Sequence, residues 1–157
     1  MRIRNGAALL LAAGLALTTA GCGFMVPLAT SQHFDPSDGI TVKVGEITLG
    51  NMIAFSDNNG DSNIVFGAVN DTGRAQTVNL QFTSESGQKV TVPVRIEAGY
   101  GPYGTEANDQ IIAKGGGGAG TLQEIYVQYG DELGVQTHIP VLNANEWDIY
   151  KGLNPKS

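Results

Sequence analysis

Few side chains in this 157-residue chain can do chemistry, and the most reactive of them occurs once. Cys22 is the sole thiol, so no intramolecular disulfide and no thiolate metal cluster can form. A single sulfur can still be alkylated, oxidised or left free, and its surroundings decide which. The other candidate ligands are sparse. There are two histidines, His33 and His138, and three methionines, of which only Met52 lies in the body of the chain. Fifteen acidic residues are dispersed without a long run, which reads as solvated surface. No Ser, His and acidic residue fall in a nucleophile motif. No carboxylate pair stands out as catalytic, so the sequence nominates no catalytic residue, no metal site and no cofactor.

What precedes Cys22 gives its sulfur a use. Arg2 and Arg4 open the chain, residues 7–16 are apolar, and Leu17-Thr-Thr-Ala-Gly leads to Cys22. A basic start followed by a short apolar run is the pattern of a secretion leader. The run is too short to span a bilayer as a permanent helix, which needs about 20 residues. Small residues directly before a cysteine, after such a run, resemble a lipobox. That is the bacterial signal for cutting before the cysteine and attaching lipid to its sulfur. Ala20-Gly21-Cys22 fits that pattern; Thr19 stands where it usually has Leu, and Leu17 lies two places too early. The alternative is ordinary cleavage after Ala20, with Thr18 and Ala20 as the small residues. Cys22 would then be a free thiol, uncommon in a secreted protein. The expectation is a lipoprotein signal peptide over residues 1–21 and lipidation at Cys22. Such an anchor carries at least two acyl chains, and two chains hold stably where one binds marginally. The expected location is the extracytoplasmic side of the cell membrane.

Removing residues 1–21 leaves 136, enough for one domain and a tether. Without Arg2 and Arg4, seven Lys and Arg face fifteen Asp and Glu, a formal charge of −8. That balance argues against nucleic acid, where cations must displace counterions. It also disfavours adhesion of the protein surface to an anionic bilayer. With no disulfide, the domain must be held by its core, which about 110 residues can supply.

The tether is expected over residues 22–39. It has two prolines and no clean periodicity. Phe24, Met25, Val26 and Leu28 are suited to the interfacial region beside an anchor. His33 has no second ligand type near it and reads as exposed.

Residues 40–150 carry the period of two that marks strands. Ile40, Val42 and Val44 alternate with polar residues, and Ile47, Leu49, Met52, Ile53 and Phe55 follow. This predicts one long bent strand or two short ones, with Gly45 and Gly50 as bend or bulge sites. Residues 62–69 form the next predicted strand, nearly continuously apolar through Ile64, Val65, Phe66, Ala68 and Val69, which suits a strand central to its sheet. Val78, Leu80 and Phe82 alternate, as do Val90, Val92, Val94 and Ile96, with Pro93 favouring an edge position. Residues 98–120 lose the pattern. They hold an aromatic loop from Gly99 to Gly104, a short strand at Ile111 and Ile112, and four glycines from Gly115 that hold no single conformation cheaply. Ile125, Val127 and Tyr129, then Val135, Ile139 and Val141, predict a closing hairpin. The tail, residues 151–157, either packs back with Trp147, Ile149, Tyr150 and Leu153 or stays mobile. Seven or so short strands without a useful helical period predict an all-β fold, a single antiparallel β-sandwich of Ig-like or cupredoxin-like kind.

Three stretches narrow this further. They are Val44-Gly-Glu-Ile-Thr-Leu-Gly-Asn, Phe66-Gly-Ala-Val-Asn-Asp-Thr-Gly, and Val127-Gln-Tyr-Gly-Asp-Glu-Leu-Gly-Val-Gln-Thr-His-Ile-Pro-Val. Together they span about residues 40–150. The chain resembles the actinobacterial LpqE-type envelope lipoproteins and, more distantly, the PCuAC-type periplasmic copper chaperones. The resemblance implies the sandwich and the envelope location. The copper proteins bind through paired His and Met residues, which this sequence lacks: neither residues 77–89 nor residues 110–120 contain either type. His138 and Met52 alone are a poor set for Cu(I), which wants several soft ligands.

Other signals have plainer readings. Asp57-Asn-Asn-Gly-Asp-Ser-Asn spaces oxygen ligands as a calcium loop does. Its glycine falls one place early and it lacks the bidentate Glu, so a polar hairpin tip is expected. Gly115 to Gly120 lacks the Gly-Lys-Ser/Thr ending and the helix of a phosphate loop. Tyr100, Tyr103 and Trp147 flank flexible segments and suit either packing over a sandwich end or holding a partner or sugar. The expected function is a membrane-anchored envelope lipoprotein, not an enzyme, whose sandwich binds an envelope protein partner or supports assembly. The alternative is a metal or small-ligand carrier related to copper chaperones.

Overall fold

The computed structural model describes residues 37–56, 60–84, 86–105 and 109–156. The leader, Cys22, His33, most of the tether and residues 57–59 of the polar turn lie outside them.

Alternation becomes strands wherever the sequence shows it. β1 (Ile40–Val44) and β2 (Ile47–Ser56) are two antiparallel strands. Gly45 turns the chain at φ +52°, and a Cβ there would meet the Tyr129 hydroxyl at 2.6 Å. The ladder slips between Gly50 and Ile53. Asn51 sits in this bulge at φ 52°, a left-handed conformation that Asn tolerates better than most residues. Its Oδ1 accepts the Gly39 N–H at 2.9 Å, tying the entering chain to the bulge.

The apolar run becomes β3 (Asp61–Asn70), and it is central as expected. It pairs with β2 on one side and, on the other, with β6 (Gly99–Tyr103) and β7 (Ile111–Lys114). β4 (Gln76–Thr83) lies between β5 (Lys89–Ile96) and β8 (Leu122–Tyr129), and β8 forms a hairpin with β9 (Val135–Asn143). The order is β5-β4-β8-β9-β2-β3-β6, with β1 on β2 and β7 on β3. The fold is all-β and sandwich-like, as the sequence predicts. One pairing departs from the antiparallel rule: β9 runs parallel to β2 from Ala54↔Val141 to Ser56↔Asn143. This seam lets one hydrogen-bonded sheet curl from one layer into the other. The end strands β5 and β6 carry Pro93 and Pro102, residues that withhold an N–H from an exposed edge.

Inside the curl, Leu49, Met52, Phe66, Leu80, Ile125 and Ile139 are fully or almost fully buried and belong to one core. A second, smaller cluster lies apart from it, where Ile53, Phe55 and Ala144 meet Val65, Leu142, Tyr150 and Leu153. It covers the outer face of β2, which is why Met52 to Ser56 are all buried.

Two expectations for residues 98–120 need correcting. The aromatic stretch from Gly99 is a strand, because β3 supplies what its own pattern lacks. Tyr103 is paired with Phe66, stacks on it at 5.5 Å between ring centroids, and accepts the Glu97 N–H at 2.8 Å through its hydroxyl. The glycine run follows one defined path. Gly115 N–H donates to Asp61 Oδ1 at 3.1 Å, and Gly116 lies where a Cβ would come within 2.3 Å of the Ser62 hydroxyl. The entropy of glycine is real, but at Gly116 the close contact admits nothing larger, whereas Gly118 has open space around it.

The last described element is a 3₁₀ helix, Asp148–Leu153. Tyr150 lies 4.9 Å from Phe55 between ring centroids. Asn63, fully buried, donates through Nδ2 to Gly104 O (2.9 Å) and Leu153 O (3.1 Å), and its Oδ1 accepts the Ile111 N–H (3.0 Å). Gln110 clasps the last residues, donating to Asn154 O at 2.7 Å and accepting the Lys156 N–H at 2.8 Å. Residues 151–156 thus pack back on the domain with Tyr150, while Trp147 and Ile149 stay largely exposed.

Candidate functional site

The residues weighed in the sequence scatter. Met52 is inside the core, and His138 is exposed on the opposite face of β9 from the buried Ile139 and Val141. Their strands do not bring them together. His138 Nε2 faces Glu124 Oε2 at 3.8 Å across the β8–β9 ladder. Among the described residues, no group of three His, Cys, Asp or Glu is placed to hold a metal ion. Of the polar turn, Asp61 is described, and its carboxylate accepts the Gly115 N–H. Tyr103 is a packing residue. Tyr100 and Trp147 remain largely exposed.

Two surfaces stand out instead. The first is the outer face of β5, β4, β8 and β9. Strand register aligns Thr91, Gln81, Tyr126 and Gln136 in one row across the four strands. Beside this row, Lys89 pairs with Thr83 and Glu124 with His138. Gln81, Thr83, Lys89, Glu124, Tyr126 and Gln136 line a shallow depression of about 300 Å³. The Tyr126 ring lies over Gly134, where a Cβ would come within 2.2 Å of Cζ, so the glycine makes room for the ring. Gln81 Nε2 donates to Thr91 Oγ1 at 3.2 Å. Amides, a carboxylate, an ammonium group and one aromatic ring suit recognition of a polar surface. They do not assemble a nucleophile with a base.

The second surface is apolar and surrounds the closing helix. Leu142, Trp147, Ile149 and Tyr150 line a depression of about 480 Å³ with Asp38, Asn143 and Glu146. A neighbouring depression of about 360 Å³ shares Asp38 and Tyr150 and adds Ser37. The described chain therefore enters the domain at this apolar lip. Among the described residues, no helix is long and apolar enough to cross a membrane.

Sequence reasoning missed the first surface because its members are ordinary polar residues. The signal was present in the alternation of β8 and β9, which puts Glu124, Tyr126, Gln136 and His138 on the wet face. Their alignment depended on the hairpin register, which alternation alone does not give.

No protein-family model matches the chain, and no curated protein or solved structure does.

Proposed function

We propose that this chain is a non-catalytic envelope lipoprotein of the LpqE type. Lipid on Cys22 holds it on the extracytoplasmic side of the cell membrane, and its β domain presents a recognition face to an envelope protein. The observation that carries this reading is Ala20-Gly21-Cys22 directly after a basic start and a short apolar run. The row from Thr91 to Gln136 across the outer sheet supports a recognition role, because a shallow polar face with a central tyrosine resembles a protein contact surface. The carrier alternative has less support. Met52 is enclosed by core side chains while His138 faces outward, so copper would find one ligand on each side of the sheet.

Cross-linking on membranes tests the proposal. The acylated protein should capture one specific partner, and a Tyr126→Ala, Gln136→Ala variant should lose it. Repeated failure to capture any partner counts against the binding role. Copper titration of the mature protein should give no stoichiometric binding near micromolar concentration; tight one-to-one binding restores the carrier reading.

A further inference from the structure

We propose that the apolar lip around Trp147 and Ile149 rests in the headgroup interface of the bilayer, on neutral or zwitterionic lipid. This deepens the proposed function and rests on an anchor at Cys22.

Trp147 is 62 % exposed and Ile149 78 % exposed. They are not on a fraying end. Tyr150 and Leu153, from the same short helix, pack into the second cluster, and Asn63 holds the Leu153 carbonyl. The helix is thus pinned to the sheet by some side chains while it offers Trp147 and Ile149 to the outside. Leu122 is also exposed and is paired with Pro140, two residues before Leu142 on the same face of β9. These residues extend the apolar strip beside the lip.

The anchor selects what covers this strip. Residues 23–36 separate Cys22 from Ser37, and Ser37 and Asp38 lie beside the Tyr150 side of the lip. Fourteen residues reach at most about 50 Å when fully extended. Ser37, the first described residue, therefore lies beside the lip and within that reach of Cys22. Once the anchor is in lipid, the bilayer is the apolar surface offered to the lip at high effective concentration. Tryptophan favours the interface, where its ring is half in hydrocarbon and its N–H stays wet.

Charge decides the lipid class. Asp38 and Glu146 line the depression, and Asp148 follows Trp147. The nearest cation on the helix, Lys151, pairs with Asp148. An anionic headgroup would be repelled here, whereas a zwitterionic one would not.

Trp147 is the only tryptophan, so its fluorescence reports on the lip directly. The mature chain, residues 22–157, is coupled at Cys22 to a maleimide phospholipid and anchored in phosphatidylcholine vesicles. A Cys22→Ser chain in solution is the reference. The expected result is exposed emission for the reference, then a blue shift, protection from acrylamide and quenching by brominated acyl chains on anchoring. Replacing half the lipid with phosphatidylglycerol should reverse part of this, and Ile149→Ser should weaken it with the fold intact by circular dichroism. Unchanged emission on anchoring overturns the proposal. So does a Trp147 already shielded in the reference chain, because the lip is then covered by the protein itself. Contact that strengthens with phosphatidylglycerol overturns the choice of lipid. The lipid is attached chemically, so these outcomes are independent of whether cells acylate Cys22.

Discussion

Removing the Asn63 side chain should loosen the domain at a single joint. This carboxamide is fully buried and joins three segments distant in sequence, through Gly104 O, Ile111 N–H and Leu153 O. Asn63→Ala leaves the first two backbone groups buried without this partner, while the Leu153 carbonyl is nearer water. A buried polar group left unpaired costs about 1–3 kcal/mol, so the expected loss is about 2–6 kcal/mol. That is a large share of the ~5–15 kcal/mol typical of a domain. With a urea slope of about 1.5 kcal/mol per M, a 3 kcal/mol loss lowers the unfolding midpoint by about 2 M. Circular dichroism in urea reads this, with Gln81→Ala as a surface control expected within about 0.5 kcal/mol of the parent. Limited proteolysis should also cut near Lys151 before the sheet opens, because the closing helix loses one of its ties. A loss below about 1 kcal/mol, with Lys151 still protected, would show that the three segments hold together without Asn63 and would refute the reasoning.

Other outcomes follow from single contacts. Gly134→Ala should cost about 1–3 kcal/mol by driving the Tyr126 ring off its seat, and Tyr126→Ala in the same chain should remove most of that cost; thermal melts of the four members of the cycle check this. Pro93→Val restores an N–H on the outer strand β5 and should raise the fraction of dimer or aggregate in size-exclusion chromatography with light scattering. Leu80→Ala, in the centre of the main core, should cost about 2–5 kcal/mol by denaturant titration, more than alanine at Gln81 or Gln136 on the outer polar face.

Much of this architecture is legible from alternation. Val78-Leu80-Phe82 and Val90 to Ile96 become β4 and β5 with the expected faces, and Pro93 lies on an edge. The turn after Asn70 is legible too: Asn70 Oδ1 accepts the Thr72 N–H at 3.0 Å, and Gly73 takes φ +74°. What alternation hides is pairing between distant segments. Gly99 to Tyr103 has no strand period of its own and becomes β6 by lying on Phe66 and Gly67. The parallel seam involves three residues of β2 and three of β9, too few to leave a mark in either strand. Ile53 and Phe55 follow Ile47 and Leu49 in the same strand, yet they serve a second cluster, which Tyr150 joins from the far end of the chain. The polar row on the outer sheet shares this origin, since Tyr126 and Gln136 become neighbours through the hairpin register.

The central claim concerns Cys22, and the intact mass of the protein from the membrane fraction tests it most directly. The expected species is a chain beginning at Cys22 with a diacylglycerol thioether on its sulfur, and Cys22→Ala should lose both that species and membrane retention. A soluble chain beginning at Gly21 with a free thiol, unchanged in its location by Cys22→Ala, would contradict it.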